Sequence, residues 1–193
     1  MEYVEKQLSS EEIFNGRIIR VRLDEVELYN GDRSRREVVE HSGGVCVVPL
    51  GKDGLVTAVR QYRYPVSKSL IELPAGKLEK GEDPYPAALR ELEEETGLKA
   101  ENLVSLGSVY SSPGFSSEVL HIYLAENCSQ GEAHPDEDEF LDVIRIPLDE
   151  FAGLVMAGEI KDAKTCLGIL KTARYIAERR IRGGSEENRS HSR

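Results

Sequence analysis

The stretch GKLEKGEDPYPAALRELEEETGL, residues 76–98, joins a glycine-containing loop to an acidic helix. Asp83 is a suitable N-cap, a proline follows it, and Gly97 suits the C-terminal end, so the sequence predicts a helix over residues 84–96. At 100° per residue, Glu91 and Glu95 stack one turn apart, where like charges destabilise a helix unless something compensates them. Four charged positions fall within an arc of about 140°: Arg90, Glu91, Glu94 and Glu95.

An acidic run on a helix is often only a solvated face, and three features of this segment argue for a site instead. Glu91 and Glu95 lie close to the edge of the apolar face, Glu82 can fold back from the preceding loop, and Gly76 and Gly81 permit close backbone approach. Clustered carboxylates are the ligands that Mg²⁺ or Mn²⁺ prefers. Bound cations would also offset the negative charge and attract an anionic substrate.

Strand and helix patterns extend on both sides of this segment. Alternating residues predict strands over 16–29 and 36–40 around the turn Asn30-Gly31, and no element is predicted before residue 16. Apolar runs predict further strands at 45–50, 55–61, 70–73, 103–110, 119–125 and 140–146, the first two as a hairpin. Helices are predicted over 148–157 and over about 18 residues after Asp162. Residues 127–138 are expected to be a mobile loop. Strands interleaved with three helices predict an α/β or α+β sandwich.

The bulk composition excludes several classes of protein. A chain of 193 residues with 39% hydrophobic residues suits one domain, and a net charge of -10 argues against a nucleic-acid binder. No apolar run could span a membrane, and no targeting segment is visible. The three cysteines are far apart, which predicts neither a zinc site nor a disulfide and fits a reducing cytoplasm.

The acidic segment resembles the signature of the Nudix hydrolase family, G-x5-E-x7-R-E-U-x-E-E-x-G-U with U aliphatic, at every defined position. The matching residues are Gly76, Glu82, Arg90, Glu91, Leu92, Glu94, Glu95, Gly97 and Leu98. The resemblance implies the Nudix fold, a mixed β-sheet sandwiched between helices, with an N-terminal antiparallel β-hairpin subdomain. The expected organisation is a hairpin region over 1–40, a hydrolase domain over 41–181 and a disordered tail over 182–193.

Within that family, the chain is similar to the ADP-ribose pyrophosphatase branch over roughly residues 10–180. Pro113 lies 15 residues past Leu98, as in that branch, and Asp162-Ala163-Lys164-Thr165 also fits its pattern. The other similar segments are Arg36-Glu37-Val38-Val39, Val59-Arg60-Gln61-Tyr62-Arg63, Glu72-Leu73-Pro74-Ala75-Gly76, Ser112-Pro113-Gly114-Phe115 and Glu137-Asp138-Glu139-Phe140.

The resemblance assigns the acidic segment to metal binding. Glu91 and Glu95 are expected to be the principal ligands, with the carbonyl of Ala75, and Glu94 contributes through water or in a multi-metal state. Two or three Mg²⁺ ions per site are implied, with Mn²⁺ as the alternative. Four motif residues are expected to be structural, with Arg90 paired to Glu82 to hold the loop on the helix: Gly76, Glu82, Arg90 and Gly97.

Substrate contacts are expected outside the acidic segment. Arg63 is expected to bind the diphosphate with its planar fork, and Glu72 to position the terminal ribose. The remaining expected substrate residues are Arg36, Glu37, Pro113, Gly114, Phe115 and Glu118. Some family members clamp the adenine between tryptophans, but this chain has none. The matching positions are Ile18 and Arg36, and the arginine can stack on a purine.

The general base is expected in a loop rather than on the helix. Glu139 is favoured over Glu137 because it precedes Phe140, and Glu118 and Glu94 remain candidates for a catalytic role.

The expected reaction is Mg²⁺-dependent hydrolysis of ADP-ribose to AMP and ribose 5-phosphate by a cytoplasmic homodimer that exchanges its N-terminal strands. Hydrolysis of another nucleotide sugar such as GDP-mannose, or of a dinucleotide, is the first alternative. A non-catalytic ADP-ribose sensor is the second, and it is disfavoured because every defined signature residue is present. No nucleic-acid or membrane partner is expected.

Overall fold

The computed structural model describes residues 3–134 and 140–190, with side chains described as far as residue 182. The strands are β1 (Lys6–Asn15), β2 (Arg20–Glu27), β3 (Arg33–Glu40), β4 (Gly44–Leu50), β5 (Leu55–Arg63), β6 (Lys68–Glu72), β7 (Ala75–Lys77), β8 (Leu98–Lys99), β9 (Leu103–Tyr110), β10 (Val119–Glu126), β11 (Ser129–Gln130) and β12 (Leu141–Pro147). The helices are α1 (Pro84–Thr96), α2 (Leu148–Met156), α3 (Ala163–Ser190) and a 3-10 helix (Tyr64–Val66).

A mixed sheet forms the centre of the molecule. Its strands follow the order β12-β5-β4-β10-β9, with β6 paired to β5 and β7 paired to β4. The β4 and β10 strands run parallel, and the other neighbours run antiparallel. The predicted hairpin of β4 and β5 is paired only at Leu50 and Val56, because β7 occupies the edge of β4 nearer its beginning. Short strands β8 and β11 pair separately, so residues 129–130 are not the unpaired loop that we predicted.

Both faces of this sheet are covered by helices. Val45 and Val47 of β4 face α1 and pack in one apolar cluster with Leu92. Cys46 and Val48 point the other way, into a second cluster that contains residues of α2 and α3. The alternation of side chains along a strand explains why one buried strand contributes to two cores. The predicted fold, a mixed sheet between helices with an N-terminal antiparallel sheet, is therefore confirmed.

The N-terminal sheet has three antiparallel strands in the order β1-β2-β3. The turn between β2 and β3 contains Gly31 at φ +87°, as the sequence predicts for Asn30-Gly31. The β1 strand was not predicted, and our strand over 16–29 was wrong at its start, because the chain turns at residues 16–19. Every residue of β1 is exposed, so it carries no alternation of apolar and polar side chains from which a strand could be predicted.

The last helix is 28 residues long, which is longer than the expected 18. It continues to Ser190, so residues 182–190 of the predicted disordered tail are helical. Adding a residue to an existing helix avoids the cost of nucleation, and no proline follows Pro147 to stop it. In the described residues, no helix is both long and apolar enough to cross a membrane.

Candidate active site

Two carboxylates of α1 lie against strand β7. Glu95 is 2% exposed, and its Oε2 accepts a hydrogen bond of 3.1 Å from the backbone N–H of Ala75. The Glu91 carboxyl group lies against Gly76 so closely that a Cβ there would be 1.9 Å from its carboxyl carbon. The structure therefore brings Ala75, Glu91 and Glu95 together, and Gly76 leaves the space that Glu91 uses.

Arg90 connects the loop before α1 to the helix. Its guanidinium lies 2.8 Å from both Glu91 and Glu94, and 3.4 Å from Glu82. The other oxygen of Glu82 accepts from the backbone N–H of Glu79 at 2.9 Å. Burial lowers the pKa of Arg90, but the charges of Glu91 and Glu94 outweigh it, so the pKa lies above its usual value. Arg90 thus contacts three carboxylates, two more than the expected pair with Glu82.

The end of α1 is fixed by Gly97. Gly97 adopts φ +70° and its N–H bonds to the carbonyl of Glu93 at 2.8 Å, which ends the helix where the sequence predicts. The backbone N–H of His134 donates to the carbonyl of Glu94 at 2.9 Å. At the other side, Leu141 pairs with Gln61 of β5. These two contacts lie on either side of residues 135–139 in the chain. The candidate general bases Glu137 and Glu139 belong to that segment and lie outside the described residues.

A buried ion network lies at the end of β6. Glu72 is 1% exposed, and its two oxygens accept from Nε and Nη2 of Arg63 at 2.7 and 2.8 Å. Lys164 also donates to Glu72, and to Asp162 at 2.9 Å. Burial alone would raise the pKa of Glu72, but Arg63 and Lys164 outweigh it and hold the pKa below its usual value. The fork of Arg63 thus faces a carboxylate of its own chain, as well as being half-exposed to solvent.

The same segment is tied to the first turn of α3. The backbone N–H of Leu73 donates to the hydroxyl of Thr165 at 2.8 Å, and that hydroxyl donates to Asp162 at 2.6 Å. Asp162 also accepts from the backbone N–H of Thr165 at 2.9 Å, so it caps the helix. These contacts connect α3 to the chain that leads from Glu72 to Ala75.

A second part of the candidate site lies between β3 and the loop from β9 to β10. A pocket of about 250 Å³ is lined by Arg36, Glu37, Val38, Pro113, Gly114, Phe115, Ser116 and Ser117. Two backbone hydrogen bonds connect β3 to the β9–β10 loop. Val39 N–H donates to Phe115 O at 2.7 Å, and Ser117 N–H donates to Val39 O at 2.9 Å. Five of the expected substrate residues therefore share one pocket.

The Arg36 side chain is held by its own chain. Its Nε donates to Glu5 at 2.9 Å and its Nη1 to Ser34 at 3.0 Å. The hydrogen bond to Glu5 raises the pKa of Arg36. Ile18, the other position expected near the purine, is exposed.

Glu118, the remaining expected residue, lies beside His41, with 3.6 Å between Oε1 and Nδ1. That nitrogen accepts from the backbone N–H of Gly43 at 3.0 Å, so it is not free to donate to Glu118.

The acidic half and the pocket lie at the same end of the central sheet. Gly44, the first residue of β4, pairs with Lys77 of β7 on one side and with Leu120 of β10 on the other. The β9–β10 loop ends at Glu118, two residues before Leu120 in the chain. A larger cavity of about 690 Å³ involves Leu50, Thr96 and Cys128, at the opposite end of β4. We therefore place the active site at the beginning of β4 despite the smaller pocket there.

The residues of α1 and β7 fit a divalent cation. Glu91 and Glu95 offer carboxylate oxygens beside the backbone of Ala75, and a cation with several waters needs only a few such ligands. Among the described residues, no group of three or more His, Cys, Asp or Glu side chains is already gathered as a metal site. A cation would therefore complete its coordination with water and substrate.

The sequence predicted Asp162 only as the cap of the last helix, which the structure confirms, and it assigned no role to Lys164 or Thr165. One local signal was present. Lysine in the first turn of a helix is unfavourable because the dipole is positive there, so Lys164 needed a specific anionic partner. The partner, Glu72, is 92 residues away, and nothing in the spacing identifies it.

The chain belongs to the NUDIX domain family, whose model matches residues 40–165. The model of the nucleoside diphosphate sugar hydrolase N-terminal domain matches residues 5–39. The protein is therefore a Nudix hydrolase, as the signature in α1 predicts. Members of this family generally use divalent metal ions.

Among individual relatives, the chain is 46% identical to the methanol dehydrogenase activator of Bacillus methanolicus, over 86% of this chain and 91% of the relative. It is 44% identical to the ADP-ribose pyrophosphatase of Bacillus subtilis (strain 168), over 86% and 90%. A solved structure of an ADP compounds hydrolase matches with a TM-score of 0.80 at 24% identity, covering 91% of this chain and 95% of that chain. That structure supports the fold, and the two relatives confirm the assignment to the family.

Proposed function

We propose that this protein hydrolyses the diphosphate of ADP-ribose to AMP and ribose 5-phosphate, with Mg²⁺ as its cofactor and Mn²⁺ as the alternative ion. One observation carries the proposal: the carboxylates of α1 and the pocket at Arg36 and Phe115 lie at the same end of the sheet. A ligand with a diphosphate and a nucleoside end needs these two kinds of surface close together.

The relatives give this substrate its support. Two are named ADP-ribose pyrophosphatase, at 44% identity from Bacillus subtilis and at 38% identity from Mycobacterium tuberculosis. The matches named GDP-mannose pyrophosphatase are more distant, with 33% identity over 72% of this chain for Citrobacter koseri. We therefore place ADP-ribose before GDP-mannose.

In this proposal, Glu91, Glu95 and the carbonyl of Ala75 hold the cations, and Glu94 adds a ligand directly or through water. When bound, two or three divalent ions neutralise diphosphate charge and make a bound water more acidic. Arg90 keeps Glu91 and Glu94 from separating, because it contacts both at 2.8 Å. Gly76 keeps the place of Glu91 open.

Arg63 binds the diphosphate while its Nε and Nη2 atoms remain hydrogen-bonded to Glu72. A guanidinium has five N–H donors, and the described residues accept two of them from Arg63, both at Glu72. The other three can reach phosphate oxygens, since the Arg63 side chain is 40% exposed. Glu72 itself is too deeply buried to contact a ribose directly, so we now assign it to orienting Arg63.

The nucleoside end lies in the pocket lined by Arg36, Glu37 and the loop that contains Pro113, Gly114 and Phe115. Phe115 is 56% exposed, so its ring can provide an aromatic face for the base in a chain that has no tryptophan. Arg36 can stack on the purine through its planar group. Glu118, next to His41, lies close enough to this loop to accept from a ribose hydroxyl.

A loop glutamate takes the proton from the attacking water. Glu139 is our first candidate and Glu137 the second. The described flanks of their segment lie at Glu94 and at Gln61, two residues before Arg63. Glutamine substitution of each in turn, with activity measured against pH, distinguishes them, because loss of the base removes the rising limb of the profile.

We also propose a homodimer of the cytoplasm in which the N-terminal sheet completes the partner's site. The fully exposed β1 supports this assembly, and three free cysteines suit a reducing compartment. Light scattering of the active species tests the dimer, and an active monomer would refute it.

A substrate panel with Mg²⁺ tests the function. ADP-ribose, GDP-mannose, UDP-glucose, NADH and diadenosine polyphosphates are compared at equal concentration by phosphate release after alkaline phosphatase is added. The highest kcat/KM for ADP-ribose supports the proposal. Preference for another compound would change the proposed substrate but not the proposed metal ligands. Tight binding of ADP-ribose without turnover would indicate a sensor.

Activation of a methanol dehydrogenase is a second candidate function, because the relative of that name is 46% identical. Adding the wild-type protein and the Glu95→Gln variant to a methanol dehydrogenase assay tests it. An increase in rate with the wild type supports this function, and the variant shows whether hydrolysis is required.

A further inference from the structure

Lys164 occupies an unfavourable position for its charge. It is the second residue of α3, close to the positive end of the helix dipole, and its side chain is only 14% exposed. Burial lowers the pKa of Lys164, but the nearby charges of Asp162 and Glu72 outweigh it and hold the pKa above its usual value. The ammonium group of Lys164 therefore remains charged although it is largely buried.

Two carboxylates stabilise the charge of Lys164. Lys164 donates to Glu72 on one side and, at 2.9 Å, to Asp162 on the other. Glu72 in turn receives both N–H groups of the Arg63 fork. Two cations and two carboxylates thus form one chain of ion pairs that begins at the cap of α3 and ends at a half-exposed guanidinium.

Glu72 alone would be a poor support for a substrate-binding arginine. An unshared buried carboxylate would neutralise Arg63 and reduce its attraction for an anionic diphosphate. With Lys164 present, the carboxylate is shared between two cations, and Arg63 keeps its positive character at the exposed end.

We propose that Lys164 is a positioning residue of the diphosphate site, which acts through Glu72 to orient Arg63 and to preserve its charge toward the substrate. The proposal rests on the proposed function, since it assigns Arg63 to the diphosphate. Lys164 itself touches no substrate in this arrangement. Its effect must therefore disappear when Arg63 is absent.

The Lys164→Met variant keeps the length of the side chain and removes its charge. We expect ADP-ribose to bind about ten- to a hundredfold more weakly, the range for losing a hydrogen bond to a charged group. The Lys164→Arg variant retains the charge and should recover part of that loss. Because a buried carboxylate left without a partner can also destabilise the protein, Glu72→Gln/Lys164→Met supplies a variant without that unpaired charge.

Calorimetric titration of the full-length protein with ADP-ribose in EDTA measures this binding without turnover. The set consists of wild type, Lys164→Met, Lys164→Arg, Arg63→Ala, Lys164→Met/Arg63→Ala and the Glu72→Gln/Lys164→Met double variant. KM and kcat with Mg²⁺ are measured in parallel. We expect KM to rise more than kcat falls, and Lys164→Met to add less than about twofold in the Arg63→Ala background.

Each outcome decides between positioning and simple stabilisation. Weak binding that persists in Glu72→Gln/Lys164→Met supports the orientation of Arg63 by Lys164. Full recovery of binding there would overturn the orienting role and would leave Lys164 only the role of offsetting the charge of Glu72. Wild-type affinity in Lys164→Met, or a loss that adds fully to that of Arg63→Ala, would overturn the proposal. Failure of the wild type to bind or hydrolyse ADP-ribose would refute the proposed substrate instead, and the cycle is then run with the preferred compound of the panel.

Discussion

The carboxyl group of Glu91 occupies the space that a side chain at Gly76 would need. An ideal Cβ at position 76 would lie 1.9 Å from the carboxyl carbon of Glu91 and 2.0 Å from Oε1. The glycine of β7 therefore leaves the space that the glutamate of α1 occupies, and a residue in one element decides the geometry of a proposed metal ligand in the other.

Gly76→Ala tests this pairing. The methyl group must displace Glu91, and we expect kcat/KM to fall by about a hundredfold, the usual effect of misplacing a reacting group by an ångström. The free energy of unfolding should change by less than about 1 kcal/mol, because the displaced atoms end a flexible side chain. Steady-state kinetics against Mg²⁺ concentration and thermal unfolding measure the two effects.

Gly153→Ala is the matched control for that substitution. A Cβ at Gly153, in the middle of α2, meets nothing within 4 Å. This variant should keep full activity and gain up to about 1 kcal/mol of stability from helix propensity. Equal activity of both alanine variants would contradict the role given to Gly76.

Glu95→Gln should reduce kcat by at least about a hundredfold and preserve the fold. The glutamine oxygen can still accept from the N–H of Ala75, so the buried hydrogen bond survives while the ligand charge is lost. Activity at saturating Mg²⁺ and circular dichroism give the comparison. Glu93→Gln is the control, since Glu93 pairs with Lys99 on the exposed side of α1, and wild-type turnover in Glu95→Gln would refute the metal assignment.

Arg36→Ala should raise the KM for ADP-ribose by about three- to thirtyfold with little change in kcat, because in the proposed site the arginine contacts the nucleoside and not the diphosphate. Initial-rate kinetics over a range of ADP-ribose concentrations separate the two constants. Arg33→Ala, in the same strand and largely exposed, should behave as wild type. An unchanged KM in Arg36→Ala would remove Arg36 from the proposed purine site.

The ion network predicts a specific pH dependence of stability. The folded pKa of Glu72 lies below its ordinary value of 4.5, so its contribution is present above pH 4.5 and is lost as the pH falls through the folded value. The folded pKa of Lys164 lies above 10.5, so its contribution is present below pH 10.5 and is lost as the pH rises through the folded value.

Urea unfolding at a series of pH values measures this dependence. At pH 7, Glu72→Gln should lose about 3 kcal/mol, and the difference from wild type should shrink in acid. A constant difference between wild type and Glu72→Gln down to pH 3 would contradict the lowered pKa.

Thr165→Val should destabilise the protein by about 1–3 kcal/mol, because it leaves the buried N–H of Leu73 without its acceptor. Thr165→Ser keeps the hydroxyl and loses one buried methyl group, at a cost of about 1 kcal/mol. Chemical unfolding of the two variants gives the difference. Equal stability of both would mean that the hydroxyl contributes nothing.

Local signals in the sequence predicted much of this structure. The bounds of α1 agree with the prediction because Asp83, Pro84 and Gly97 mark its two ends, and the bounds of β9 agree because an apolar pattern marks the strand. The acidic residues of the site could be predicted for the same reason, since they lie within 23 consecutive residues. The β1 strand could not, because all its side chains are exposed and its sequence does not alternate between apolar and polar residues.

Contacts between distant parts of the chain could not be predicted from the sequence either. Nothing in the spacing relates Lys164 to Glu72, and the prediction for Arg63 included the diphosphate but not the carboxylate that holds its fork. The pocket of Arg36 and Phe115 depends on how the N-terminal sheet meets the β9–β10 loop. Such contacts follow from the assembled fold and not from any local pattern.

Asp162 caps the last helix and also holds the lysine that supports Arg63. One carboxylate therefore connects the stability of the last helix to the ion network in which we propose that Arg63 binds the diphosphate. On the proposal for Lys164, substitutions that stabilise the start of α3 should also alter ligand affinity, whereas stabilising substitutions in α2 should not.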